Sequence, residues 1–591
     1  MYEADPLPVP VTERPAMRWG SDAIAELLSR LDLPYIAMVP GSSYRGLHDS
    51  LVNYLGNTGP KLVVCLHEEH SVAIAQGYAK VTGEPMLVGL HSNVGLMHAA
   101  MAIYNAYCDR APMVLIGATG PLDAAKRRPW IDWVHTSADQ AAIVRHYVKW
   151  DDQPGSVPAA LESLLRGYRL TRTEPSAPVY VCLDSELQET EISKGVIDAV
   201  TVPDPARYPA PTEPAPDAST VDQILAMLSA AQRPLVLMGR AGRTREEWDR
   251  RVALVEALGV ACLTDMRLPA VFPTAHPQHP ARPAAGRLSP SGVELMRQSD
   301  LILSLQWTDL SGPLAAAFGD GPRPPVIACK NSGALLNGWT KDHFALVPAD
   351  LEVTAGADQV VGALLARVGE QPAVQRPGWP PALPATGSGT RPEVDGDPIL
   401  MSDLAAAIRQ AAGDRDITYT TLPLGWSGED AVFTGPLDYL GRDGGGGVGS
   451  GPGIAVGAAL ALDGTGRVPV AVLGDGDYLM GGSALWTAAH YRLPLLVVVA
   501  NNRSYFNDEG HQRQVAQRRS RPVENRTVGQ HLRDPDPDPA TIARGHGLTA
   551  YGPVLDPDDL QPVLAKAFAE VVAGGTVVVD VRVNPYGYGR A

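Results

Sequence analysis

Cysteine is sparse in this chain. The five present, Cys65, Cys108, Cys182, Cys262 and Cys329, stand singly, with no CxxC pair. So odd and scattered a set excludes a disulfide framework and a cysteine zinc site, and it fits a reduced, cytoplasmic setting. Positive charge is also short: 49 Lys and Arg face 65 Asp and Glu, a net charge of −16. Nucleic acid and anionic membranes both need a basic footprint, so neither is expected as a partner. No stretch approaches the roughly 20 apolar residues of a membrane-crossing helix. The opening MYEADPLPVPVTERP is polar and Pro-rich and has no apolar signal core. Phe is rare (6) beside 59 Gly and 53 Pro, a bias that points to GC-rich coding rather than to chemistry.

What the chain does have is ordinary globular composition, 45% hydrophobic and 19% charged, over a length that suits about three to four domains. Strand-length apolar runs such as LPYIAMV (33–39), KLVVCL (61–66) and PMVLIGA (112–118) alternate with helical stretches such as SDAIAELLSRL (21–31) and EEHSVAIAQGYAKV (68–81). That alternation predicts parallel α/β layers. Two Pro-rich breaks, near 202–216 and 370–398, interrupt it. The expected fold is therefore α/β, with three doubly wound parallel-sheet domains: residues 1–190, 215–370 and 398–591, the last two joined by a Pro/Gly-rich linker over 371–397.

Residues 470–512 carry the most chemistry. One apolar strand ends in Gly474-Asp475-Gly476, and a second ends in Asn501-Asn502, with Asn502 placed 27 residues after Asp475. An Asp and an Asn then sit at the carboxyl ends of two parallel strands, where open α/β sheets bind ligands. A carboxylate, an amide oxygen and a backbone carbonyl are hard donors suited to Mg²⁺, and the glycines let backbone approach a diphosphate. A second glycine tract, GGGGVG (444–449), matches GxGxxG. The preceding LDYLGRD is no clean strand, and a poly-Gly tract fits many patterns by chance, so a dinucleotide site is not inferred.

GDG, a spacer of just under thirty residues and NN resemble the cofactor signature of thiamine diphosphate enzymes. On that resemblance Asp475, Asn502 and the carbonyl of Ser504 hold Mg²⁺, and Gly474, Gly476 and the backbone at Asp477 and Tyr478 meet the diphosphate. In that family a Gly-x-hydrophobe-Gly loop lies where 444–449 stands. Val448 is then the wedge that bends the cofactor, smaller than the Ile, Leu or Met usual there, and Gly446 offers its carbonyl to the aminopyrimidine. The family's activating glutamate opens a helix after an apolar strand. VVCLHEEHSVAIAQGYAKVTGEP (63–85) resembles that block, whose Glu precedes the Gly of GYA by nine, which selects Glu68 over Glu69. Helix-dipole preference alone explains an acid in this turn, but not the downstream GYAKVTG. His67 and His70 flank the pair without HExxH spacing, the first as a framework residue and the second as a packed or solvated one.

The resemblance runs from Trp19 to about Val583, and the local text is most similar to benzoylformate decarboxylase. PGS (40–42) resembles the strand-end motif whose serine, here Ser42, contacts the substrate carboxylate. LHS (90–92) resembles the motif whose histidine, here His91, transfers protons. FPTAHP (272–277) resembles the motif carrying a second active-site histidine, here His276, although an HP dipeptide is common at that place throughout the family. His91 is a fitting acid/base type near neutral pH; His98 and His279 are expected to be structural. After the metal ligands, NNRSYFNDEGHQRQ is polar, so Asn507, Glu509 and His511 either line a polar pocket or lie on a surface helix. The resemblance implies a Mg²⁺ and thiamine diphosphate enzyme that decarboxylates a 2-oxo acid, with carboligation possible on the same chemistry. Rival readings are an acetolactate-synthase-like transferase, a C–C lyase or hydrolase acting on a diketone or acyloin, and a non-catalytic cofactor-binding protein. It also implies a homodimer or homotetramer with sites between subunits.

Overall fold

The computed structural model describes residues 16–192, 200–331, 347–369 and 396–584, together with residues 5, 8, 376 and 379. Most of the expected 371–397 linker lies outside the described residues. Val-, Ile- and Leu-rich runs become strands buried on both faces, as parallel sheets covered by helices require. Leu495–Asn501 and Pro178–Asp184 are buried at every position.

The first sheet contains β1 (Tyr35–Met38), β2 (Lys61–Val64), β3 (Met86–Leu90), β4 (Met113–Thr119), β5 (Trp150–Asp152) and β6 (Pro178–Asp184), in the order β2-β1-β3-β4-β6-β5. The second has β7 (Pro234–Met238), β8 (Ala261–Thr264), β9 (Leu301–Leu305), β10 (Val326–Cys329) and β11 (Leu351–Val353), in the order β11-β10-β9-β7-β8. The third has β12 (Ile417–Thr421), β13 (Val468–Gly474), β14 (Leu495–Asn501), β15 (Thr549–Val554) and β16 (Thr576–Arg582), in the order β12-β13-β14-β16-β15. Every pairing among them is parallel. The protein is thus α/β, with three parallel-sheet domains. No helix among the described residues is long and apolar enough to cross a membrane.

The first and third domains share one apolar core. Ile74, Leu96, Leu115 and Tyr180 of the first belong to the same buried cluster as Val456, Leu473, Tyr478 and Val497 of the third. The contact centres on two helices, Glu68–Thr82 and Gly451–Leu462, which meet backbone to backbone. A Cβ at Gly457 would lie 1.9 Å from the Ile74 carbonyl oxygen, and one at Gly453 would lie 2.6 Å from the Ala73 Cβ. The first helix has defined ends: His67 Nδ1 accepts the Glu69 N–H at 3.1 Å, and Gly83 closes it at φ +75°.

All three domains meet around Asp109. It accepts hydrogen bonds from buried Lys80 and, at 3.0 Å, from Gln76. Arg240 of the middle domain donates to the carbonyls of Cys108 and Asp109 at 2.7 and 3.1 Å. Lys80 and Gln76 also donate to the carbonyls of Arg442 and Asp443 in the third domain. In the middle sheet the backbone pairing of β7 with β9 runs on past the strand ends: Gly239 N–H donates to the Leu305 carbonyl and Arg240 N–H to the Gln306 carbonyl.

Candidate active site

In the third domain β13 and β14 are neighbours, so Gly474-Asp475-Gly476 and Asn501-Asn502 emerge side by side. Asp475, Asn502 and Ser504 are all buried. They converge on one group: the Ser504 N–H lies 3.2 Å from Asp475 Oδ2 and 2.9 Å from Asn502 Oδ1. Asp475 Oδ1 accepts the Gly476 N–H at 2.9 Å. Burial pushes the Asp475 carboxyl up to about 6, opposed only by backbone N–H donors. The result is a buried oxygen donor set in which, among the described residues, no cationic side chain acts on the carboxylate.

The glycine tract is tied to this turn. Asp477 Oδ1 accepts the N–H groups of Gly449 and Gly451 at 2.7 and 3.4 Å, and burial drives its carboxyl to about 6. From the first domain, Asn105 grips Gly447 through both backbone groups: Oδ1 accepts its N–H at 3.1 Å and Nδ2 donates to its carbonyl at 3.2 Å. Gly446 has φ +75°, and the Val448 side chain that follows is exposed. Tyr478 turns its ring into the core, where its hydroxyl donates to the Pro539 carbonyl at 3.1 Å.

On the polar helix that follows Ser504, Phe506–Arg518, the three residues singled out in the sequence separate within one chain. Glu509 is 1% exposed, whereas Asn507 and His511 face solvent. Ser504 Oγ donates to Glu509, His531 Nε2 lies 3.1 Å from Glu509 Oε1, and Arg526 Nε lies 3.8 Å from Oε2. The Tyr505 N–H donates to Gln530 and the Leu532 N–H to Arg503, so residues 530–532 are strapped along the turn that carries Ser504.

In the first domain, β1 and β3 are adjacent although β2 intervenes in sequence, a topological switch point. The segments leaving these strands carry Ser42, Ser43 and His91. His91 Nδ1 lies 2.8 Å from Ser43 Oγ, so Ser43 rather than Ser42 holds this ring. Gly41 permits the approach, since a Cβ there would lie 2.2 Å from His91 Cγ. Burial, then His135 edge-on at 4.9 Å, lowers the His91 pKa. Ser42 instead neighbours Arg128, whose Nη2 is 3.4 Å from its Oγ and which is paired with buried Asp132.

The adjacent acids diverge. Glu69 turns towards the third domain, where Ser450 Oγ approaches it at 3.4 Å. Glu68, which is buried, turns the other way, to His98 Nδ1 at 3.0 Å. His67, Glu68 and His98 place one ligand atom each within 4.8 Å of one another, but one nitrogen of His67 already serves the Glu69 N–H. His276 lies apart from these groups. Its ring is held in the middle domain between Glu256 at 3.2 Å and the Gln278 N–H at 3.1 Å. His279 is buried against Thr264, as a structural histidine should be. Sequence reasoning missed Arg128, Asn105 and the His98 contact.

Residues 18–143 match the family description "Thiamine pyrophosphate enzyme, N-terminal TPP binding domain", residues 221–310 its central domain and residues 425–581 its C-terminal TPP binding domain. The chain belongs to the thiamine pyrophosphate enzymes and carries both of their cofactor-binding domains. It is 26% identical to benzoylformate decarboxylase of Pseudomonas aeruginosa over 457 residues, 75% of this chain and 79% of that one. It is 24% identical to sulfoacetaldehyde acetyltransferase of Rhodobacter capsulatus over 355 residues, which span 59% of this chain and only 55% of that relative. Its fold is similar to that of benzoylformate decarboxylase from Polynucleobacter necessarius, with a TM-score of 0.76, 20% identity, and 96% and 99% of the two chains covered.

Proposed function

We propose that the protein is a Mg²⁺- and thiamine diphosphate-dependent decarboxylase of a 2-oxo acid, similar to benzoylformate decarboxylase and able to ligate the product to an aldehyde. The observation that carries this reading is that one chain holds two half-sites. One is the buried oxygen set Asp475, Asn502 and Ser504; the other is the His91, Ser42 and Ser43 group at the first domain's switch point, with Glu68 opening the helix after the neighbouring strand β2.

The donor set fits Mg²⁺. A buried carboxylate with no cationic partner among the described residues, an amide oxygen and the Ser504 turn are hard ligands suited to a cation. Asp475, Asn502 and the Ser504 carbonyl would hold the ion, and the backbone at Gly474, Gly476, Asp477 and Tyr478 would face the diphosphate. When bound, the cofactor supplies the electron sink for breaking the bond to the carboxylate carbon. Glu68 holds or releases a proton at its carboxyl to activate the cofactor. Gly446 and Val448 orient the ring. Ser42 positions the substrate carboxylate, and the Arg128 beside it is neutralised by Asp132, so this pair does not anchor the carboxylate as a free cation would. His91, whose pKa burial lowers, can deliver or accept a proton near the reacting carbon. His276 would join only from another subunit, since in its own chain it faces Glu256.

The complete site is proposed to lie between two copies of the chain. Within one copy it is Glu69 that faces Ser450, while Glu68 is turned away. A homodimer, or a homotetramer of two such dimers, satisfies this. Transfer of the acyl unit to a second carbonyl is the alternative, in keeping with the acetyltransferase relative. The test is CO₂ release from a panel of 2-oxo acids with Mg²⁺ and thiamine diphosphate, run with and without acceptor aldehydes. Turnover only when an acceptor is present, with no CO₂ released in its absence, would replace the decarboxylase by the transferase.

A further inference from the structure

We infer that His98 is a positioning residue for Glu68, an inference that rests on reading Glu68 as the activating carboxylate. Three features build the contact. Gly95, one turn before His98 on the helix Ser92–Asp109, clears space for the glutamate: a Cβ there would lie 3.1 Å from Glu68 Oε1 and 3.2 Å from its Cγ. His98 Nδ1 takes Glu68 Oε2 at 3.0 Å. The His98 ring is stacked on His67, with centroids 4.8 Å apart and planes at 19°, and His67 is itself fixed through Nδ1 by the Glu69 N–H. The ring that orients Glu68 is therefore braced by the residue that caps Glu68's own helix.

This arrangement leaves the carboxylate asymmetric. Oε2 is held by His98, while Oε1 has no hydrogen-bond partner among the described residues. An imidazole suits the place because it keeps the bond in either protonation state of Glu68. Nδ1–H donates to the carboxylate, and a bare Nδ1 accepts from the carboxylic acid. Within one chain the His98 side chain is 58% exposed while Glu68 stays buried, so the ring reaches Glu68 from outside the core. An aliphatic residue would leave Oε2 unbonded and free to rotate into the place of Oε1.

The test uses the full chain with His98→Ala, His98→Asn, Glu68→Gln and the double variant Glu68→Gln/His98→Ala. Losing a hydrogen bond to a charged group is worth about tenfold or more, so C2–H exchange of bound thiamine diphosphate should slow by at least that in His98→Ala. Cofactor affinity by calorimetry should move by less than about threefold, because removing this contact deletes no metal or diphosphate ligand. His98→Asn retains a donor and should recover most of the rate. The double variant should exchange no slower than Glu68→Gln alone, the mark of two residues acting as one unit. In the ¹⁵N-labelled apoprotein, the His98 Nδ1 resonance should shift on Glu68→Gln. Wild-type exchange in folded His98→Ala, additive losses in the double variant, or an unmoved His98 resonance would each overturn the inference. Wild-type exchange in Glu68→Gln would instead remove the assignment of Glu68 on which it rests.

Discussion

A Cβ atom added to Gly77 would lie 2.0 Å from the carbonyl oxygen of Ile454. The two residues belong to different domains, and their helices touch through backbone because nothing larger than hydrogen fits between them. Gly77→Ala should therefore destabilise the protein by about 1–3 kcal/mol, the range for overpacking, although alanine is the better helix former. Gly362, inside the helix Ala357–Val368 with no atom near its absent Cβ, is the control. Gly362→Ala should stabilise by roughly 0.5–1 kcal/mol. Urea unfolding of both variants checks the opposite signs; equal shifts would mean that the helix contact is looser than described.

Asp475→Ala and Asn502→Ala each remove an oxygen from the buried set around Ser504. Both should lose thiamine diphosphate affinity by roughly tenfold or more, as loss of a charged or metal-linked contact does. Calorimetry in the presence of Mg²⁺ measures it, and near-normal binding by both variants would remove the metal assignment.

The divergence of Glu68 and Glu69 leads to a subunit test. Glu69→Gln should leave C2–H exchange close to wild type, whereas Glu68→Gln should slow it by orders of magnitude. Mixed Glu68→Gln and Asp475→Ala subunits should form hybrids with one intact site, active where neither parent is. An active monomer in light scattering, or no rescue after proven subunit exchange, would place the site within one chain.

His279 gives a pH test away from the site. Burial holds its imidazole down at about 4, against an ordinary value near 6.5. A histidine kept neutral in this way lends stability that is whole above about pH 6.5 and is lost as pH falls towards 4. His279→Gln does not titrate, so the melting-temperature advantage of wild type at pH 7 should shrink by pH 4.5. A gap that stays constant across that window would show that the ring is not buried as described.

How far the sequence could be read depended on how local each feature is. Asp475 and Asn502 stand at the ends of adjacent strands, so their order and spacing in the chain already place them together. The choice of Glu68 over Glu69 rests on the family block's distance from Gly77, and the structure adds that the two acids turn opposite ways. Glu509 could not be separated from Asn507 and His511 by composition. Helical phase separates them, turning Glu509 inward to Ser504 and the other two to solvent. The His98 contact needs two helices from different strands to lie side by side. Arg128 reaches Ser42 from a long connection after β4, in which no periodicity marks a direction. The Ser43 contact with His91 depends on the tight turn after Gly41, beyond what a three-letter motif encodes.

The Asn105 clamp on Gly447 also sets an order of events during synthesis. The two residues are separated by 342 positions. At ribosomal speeds that interval lasts on the order of 20–70 seconds, and domains fold as they emerge. The first domain must wait through it with the Asn105 amide unmatched and the Gly77 face of its helix wet. A nascent chain halted before Gly447 keeps both exposed, because the partners of both groups lie in the third domain.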